Sequence, residues 1–81
     1  MKKLTDKELE KIKKICEDIE EKVYLDGGWK HHSGGFATCD MFNYDDDFVD
    51  LKVKEGIVND VEDRVYSRQL KIDRKTMEVS E

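Results

Sequence analysis

The sequence contains no proline and has few apolar residues. Both shortages limit the classes of protein to which the chain can belong. Of the 81 residues, 37% are hydrophobic and 43% are charged, against about 25% charged residues in an average domain. So polar a composition is typical of disordered chains, but those are usually rich in proline, and here the apolar residues recur at regular intervals. The sequence therefore predicts a single small domain, residues 1–81, with a thin core and a charged surface.

Long hydrophobic runs and numerous cysteines are missing as well. No stretch approaches the roughly 20 apolar residues of a membrane span, and no N-terminal run resembles a signal peptide. The two cysteines, Cys16 and Cys39, are too few for a disulfide-built secreted scaffold, and both fall at positions expected to be buried. A single disulfide between them could still form. We expect a cytoplasmic protein with no membrane partner.

The first 25 residues carry the pattern of an amphipathic helix. Thr5 and Glu8 have the spacing of a capping box, in which each side chain bonds the backbone N–H of the other. Apolar residues follow at three- and four-residue steps: Leu9, Ile12, Ile15, Cys16, Ile19 and Val23. The pattern predicts a helix over about residues 5–25, which a glycine-bracketed loop over residues 26–35 follows.

Alternating apolar and polar residues predict strands over about residues 36–80. Residues 36–44 and 48–54 alternate around a turn at residues 45–47, and the inward positions are Ala37, Cys39, Met41, Val49, Leu51 and Val53. Glu55 and Gly56 are interpreted as a turn, residues 57–63 as a strand in preference to a short helix, and residues 65–73 as a strand. Met77 and Val79 belong to a last short strand. The predicted fold is α+β, with one N-terminal amphipathic helix packed on an antiparallel meander of three to five strands.

Negative charge is concentrated in the middle of the chain. Residues 40–63 hold nine acids against Lys52 and Lys54, a balance of −7, whereas the whole chain has a formal charge of −5. On alternating strands, Asp40, Asp50 and the neighbouring loop acids are expected to form one negative face. Such a face can occupy a groove that normally binds phosphates, and it steers a basic partner toward it. The plainer interpretation is a solvated surface that aids solubility.

Aromatic residues are interleaved with these acids, as in an interface with buried anchors and a charged rim. Phe42 and Tyr44 are expected to point outward, although a slip of one residue in register would exchange the two faces. The predicted partner-binding residues are Asp40, Phe42, Tyr44, Asp45, Asp46, Asp47, Phe48 and Asp50.

Signals for catalysis or for a bound metal are weak. His31, His32, Cys39 and Asp40 are ligand types, but no Cys-x-x-Cys, His-x-x-x-His or calcium-loop spacing is present. No nucleophile elbow or nucleotide-binding glycine loop occurs. We therefore expect no enzyme activity, no cofactor and no metal.

Direct binding to nucleic acid is also disfavoured. The last 18 residues carry five bases, Arg64, Arg68, Lys71, Arg74 and Lys75, which could contact a phosphate backbone. The acidic block would repel the same phosphates, and pairing of Arg68 and Lys71 with acids on neighbouring strands is the preferred interpretation.

The size, acidity, architecture and lack of a catalytic signature resemble those of small phage-type inhibitors of host or defence proteins, anti-CRISPR proteins among them. The resemblance is one of type and transfers no residues. It implies a non-enzymatic protein, monomeric rather than homodimeric, that occupies a basic, nucleic-acid-binding surface of a larger protein. Two alternatives stay open. One is a self-associating assembly module that uses its apolar helix face or an exposed sheet edge, and the other is a metal-linked or enzymatic role of His31, His32 and Cys39.

Overall fold

The computed structural model describes residues 2–81 and has the predicted α+β architecture, in which one helix packs on a four-stranded antiparallel sheet. The strands follow one another in the order β1-β2-β3-β4, so the sheet is a simple meander. The elements are helix α1 (Asp6–Asp26), a short 3₁₀ helix (Trp29–His31), and strands β1 (Gly35–Tyr44), β2 (Phe48–Val58), β3 (Asp63–Asp73) and β4 (Val79–Ser80).

Helix α1 begins and packs as its sequence predicts. The backbone N–H of Thr5 donates to the Glu8 carboxylate and the N–H of Glu8 donates to the Thr5 hydroxyl, each at 3.1 Å. The apolar stripe faces the sheet and buries Ile12, Cys16 and Val23. This face therefore covers the sheet, while Leu9 near the start of the helix is 40% exposed. None of the helices formed by residues 2–81 combines the length and apolar character that crossing a membrane requires.

The core lies between α1 and one face of the sheet. Val49, Leu51 and Val53 are at most 1% exposed, which confirms their predicted inward orientation, and Leu70 and Ile72 of β3 join them. No element formed by residues 2–81 covers the opposite side of the sheet. We call this side the open face; it presents Phe36, Thr38, Asp40, Phe42, Phe48, Asp50, Lys52, Lys54, Val65, Ser67, Gln69 and Lys71.

The predicted turn at Glu55 and Gly56 is wrong, because β2 runs through both residues to Val58. Gly56 has a φ of 156°, and a Cβ there would overlap the backbone carbonyl oxygen of Arg64 on β3. The glycine therefore serves a close approach between two strands instead of a turn. The chain reverses at residues 59–62, where the side-chain oxygen of Asn59 accepts hydrogen bonds from two backbone N–H groups. Residues 57–63 thus form neither a strand of their own nor a helix.

Two further predictions for the sheet need correction. Tyr44 was expected to point outward, but the β1–β2 register shifts between Met41 and Asn43, and Tyr44 turns inward to pack against the core. A β-bulge adds one residue to one strand, and this reverses the face of every residue after it. Met77 was assigned to the last strand but lies between the turn at residues 74–76 and β4, with a φ of 60°, and only Val79–Ser80 pairs with β3.

Candidate functional site

The acidic block of residues 40–63 is divided by the fold. Residues 40–50 lie at the β1–β2 turn, whereas Asp60, Glu62 and Asp63 lie at the β2–β3 turn. The 11 residues of β2 separate the two turns, a distance of about 35 Å at the usual strand rise, in a molecule 45 Å long. The nine acids therefore do not share one surface. The candidate site is the group at residues 40–50, which we call the acidic hairpin end.

Two phenylalanines stand on the open face of the acidic hairpin end. Phe42 is 52% exposed and Phe48 is 36% exposed. Each ring has a lysine ammonium near it, Lys52 at 5.9 Å from the Phe42 centroid and Lys71 at 5.3 Å from the Phe48 centroid. Such contacts between a cation and a ring contribute about 0.5–1 kcal/mol at exposed sites and leave the rings accessible.

The same two lysines oppose the two strand carboxylates of the site. Asp40 pairs across the sheet with Lys52, and Asp50 pairs with Lys71. Opposite charges at facing positions attract each other and weaken the field that each projects into solvent. The strand portion of the site is therefore close to neutral, and most of its negative field comes from the turn.

The turn itself consists of three exposed aspartates with different surroundings. One carboxylate oxygen of Asp45 accepts hydrogen bonds from the backbone N–H groups of Asp47 and Phe48, both at 2.8 Å. These bonds lower the pKa of Asp45, since they favour the charged form. The Asp46 carboxylate accepts a hydrogen bond from the backbone N–H of Lys2. Asp45 is thus needed for the shape of the turn, Asp46 also bonds the N-terminal segment, and all three side chains remain exposed to solvent.

Arg74 holds the turn in place, and sequence reasoning did not single it out. The residue is 7% exposed. Its guanidinium donates to both oxygens of Glu8 at 3.0 Å and to the backbone carbonyls of Lys2, Lys3 and Asp45 at 2.8, 3.1 and 2.6 Å. The Tyr44 ring lies 5.9 Å from it. One side chain therefore joins the N-terminal segment, α1 and the β1–β2 turn.

The pairing of Glu8 with Arg74 predicts a specific acid sensitivity. Hydrogen bonds from Arg74 and then from the Thr5 backbone lower the pKa of Glu8 from its usual 4.5 to about 2. A carboxyl whose pKa is lower in the folded state stabilises the fold fully above its unfolded pKa, and this contribution disappears as the pH falls. We expect the thermal unfolding midpoint to decrease as the pH is lowered from 4.5 to about 2. The Glu8→Gln variant should show a smaller decrease over the same range. Circular dichroism melts across this range measure it.

Glu10→Gln is the matched control, because Glu10 is an exposed carboxylate on the same helix. Its pH profile should follow that of the parent protein. If Glu8→Gln and the parent lost stability in parallel below pH 4.5, Glu8 would not be the group responsible.

Burial limits the reactivity of the thiols in the histidine and cysteine region. Cys16 and Cys39 are free thiols buried between α1 and β1, and burial raises the pKa of Cys39 to about 12. A thiol that keeps its proton is a poor nucleophile and a poor metal ligand. His31 and His32 are exposed beside Trp29. Within residues 2–81, no group of three or more His, Cys, Asp or Glu side chains is placed to hold a metal ion.

Comparisons with known proteins return no relative of this chain. No protein-family model matches it, no curated protein matches it, and no solved structure matches it. No property of a relative therefore bears on the acidic hairpin end.

Proposed function

We propose that this protein is a small non-enzymatic binding protein that uses its acidic hairpin end to occupy a basic, nucleic-acid-binding surface of a larger protein. This is the action of a phage-type inhibitor, an anti-CRISPR protein or a similar anti-defence protein. The observation that supports the proposal most is the juxtaposition of an exposed aspartate turn with two exposed phenylalanines at one end of the sheet.

The charge of the hairpin end favours a basic partner. Residues 40–50 contain five aspartates and no base. With Lys52 and Lys71 counted against them, the balance is −3, and the exposed turn contributes most of it. A local charge of this kind accelerates the approach of a positively charged surface, and the acceleration weakens with added salt.

Phe42 and Phe48 supply exposed apolar surface that a partner can bury, which charged side chains do not. Exposed charges contribute little binding free energy because water screens them, whereas aromatic side chains that become buried carry much of the energy of an interface. Tyr44, which packs toward the core beside Arg74, is withdrawn from the proposed contact set. The proposed contacts are therefore Asp40, Phe42, Asp46, Asp47, Phe48 and Asp50, with Asp45 shaping the turn.

Reversing the charge of the turn should slow binding. We expect the double variant Asp46→Lys/Asp47→Lys to associate with its partner at least about tenfold more slowly at low salt, and to show a flatter salt dependence. Asp45 is left unchanged because it caps the turn. The partner is first recovered by affinity purification from a native bacterial lysate with a salt step, and its association rate is then measured by surface plasmon resonance at several ionic strengths.

The matched control is Glu17→Lys/Glu21→Lys, which makes the same change of net charge on the exposed side of α1. It should alter the association rate only slightly. Equal slowing by both double variants would mean that net charge acts without a localised site. An unchanged rate for the turn variant would refute the proposal.

A further inference from the structure

Strand β3 has a long free edge. Only its last residues are covered, where Lys71 and Ile72 pair with β4. Within residues 2–81, no strand pairs with the outer side of residues 63–69. All seven of these residues are exposed, including Val65 at 47% and Tyr66 at 54%. An unpaired edge of this length is a template for pairing with another chain.

The other edge of the sheet, β1, is protected by the helix. The Glu20 carboxylate of α1 accepts a hydrogen bond from the backbone N–H of Cys39 at 2.9 Å. This contact uses a donor in the middle of β1 and places a negative charge beside it, so that an incoming strand would meet an obstacle. Within residues 2–81, the β1 edge thus carries a contact from the helix at Cys39, whereas no strand pairs with the β3 edge over residues 63–69.

The direction of the hydrogen-bonding groups on β3 follows from its pairing with β4. The N–H of Asp73 donates to the Glu78 carbonyl on the outer side at 2.9 Å. Because these groups alternate between the two sides along a strand, the N–H and C=O groups of Asp63, Val65 and Ser67 also point outward. These groups of Val65 therefore have no partner from within the sheet.

We propose that β3 pairs antiparallel with β3 of a second copy of this chain, about a two-fold axis at Val65. An axis perpendicular to the sheet reverses the strand direction and keeps the open faces of both copies on one side. In this register Val65 faces Val65 of the second copy, and their outward N–H and C=O groups meet. The pairing ends near Arg68, before Lys71, and so leaves β4 in place.

Side-chain charge is complementary in this register. Glu62 of each copy faces Arg68 of the other, and Arg64 faces Tyr66. The Tyr66 ring is stacked on the Trp29 ring of its own chain, with 6.5 Å between the ring centroids. Glu62 already contacts Arg64 of its own chain. Arg68 of the second copy therefore places a second positive charge beside the Glu62 carboxylate. A shift of the axis to Tyr66 would instead bring Arg64 opposite Arg68, which like-charge repulsion disfavours. A second copy therefore fits this edge by both backbone and charge.

The proposal departs from the monomer expected from the sequence, and it does not rest on the function of the acidic hairpin end, which lies at the far end of β2. Sedimentation velocity from about 1 µM to about 1 mM should show a reversible monomer–dimer equilibrium. Val65→Pro should raise the dimer dissociation constant at least about tenfold, because it removes two symmetric N–H donors. Proline is compatible with an edge whose N–H faces solvent, so the monomer should keep its circular dichroism spectrum.

Val65→Thr is the matched control, since it keeps the backbone N–H and the branched side chain; it should dimerise like the parent. The register is tested independently by Arg68→Glu, which should weaken the dimer, and by Glu62→Lys/Arg68→Glu, which should bind more tightly than Arg68→Glu alone. A monomer at all concentrations, or a dimer that Val65→Pro leaves intact, overturns the proposal. Failure of the double variant to recover overturns the register.

Discussion

Replacing Arg74 with methionine is expected to destabilise the protein severely. The substitution keeps much of the buried side-chain volume but removes the hydrogen bonds to Glu8 and to the carbonyls of Lys2, Lys3 and Asp45. The Glu8 carboxylate then lacks its counterion, and removal of one partner from a buried pair costs more than the pair contributes. We expect the thermal midpoint to fall by on the order of 10 °C. Circular dichroism melts at neutral pH measure it.

The control for Arg74 is Arg64→Met, which makes the same chemical change at an exposed residue. Arg64 contacts Glu62 on the surface, and an exposed ion pair contributes little to stability. Its thermal midpoint should therefore remain close to that of the parent. Equal midpoints for Arg74→Met and Arg64→Met would contradict the role given to Arg74.

The second large effect is expected for Leu51→Ala. Leu51 is fully buried in the central strand β2, and removing such a side chain costs about 2–5 kcal/mol through lost burial and the cavity left behind. A domain of this length has a total stability of about 4–12 kcal/mol. The variant should therefore lose a large fraction of its free energy of unfolding, and its urea midpoint should fall accordingly. Urea titration followed by tryptophan fluorescence measures the loss.

Leu25→Ala provides the comparison, because Leu25 is 49% exposed near the end of α1. The same deletion there should change the free energy of unfolding by less than about 1 kcal/mol. A similar loss for both leucines would mean that Leu51 is not in a close-packed core.

Helix α1 could be predicted from the sequence because its determinants are local. The capping box joins Thr5 and Glu8 within one turn, and the apolar stripe depends on a period of 3.6 residues, which neighbouring residues display by themselves. The inward face of Val49, Leu51 and Val53 was predictable for a similar reason, since alternation along a strand is also local. The meander followed from the succession of short strands.

The boundaries of β2 and the orientation of Tyr44 were not predictable in this way. Glycine is common both in turns and at close strand contacts, and only the Arg64 carbonyl opposite Gly56 distinguishes the two uses. The bulge after Met41 changes the face of Tyr44, and its position depends on pairing with β2. In each case the deciding group belongs to a different strand.

The candidate site shows the same division. The sequence identified the aspartates and phenylalanines of residues 40–50 from composition, but it did not show that Lys52 and Lys71 face Asp40 and Asp50. Nor did it separate these acids from those of the β2–β3 turn, because distance along the chain does not determine distance in space.

By itself, the sequence determined the helix, the inward alternation of β2, the α+β class and the local excess of acid, since each depends on residues within a few positions of one another. Only the tertiary structure decided that Arg74 is a buried link, that the acidic block is divided, and that the edge of β3 is free. Arg74 meets Glu8 across 66 positions of sequence, and an edge is defined by a neighbouring strand that is missing. Both are properties of long-range packing, which no local pattern of residues encodes.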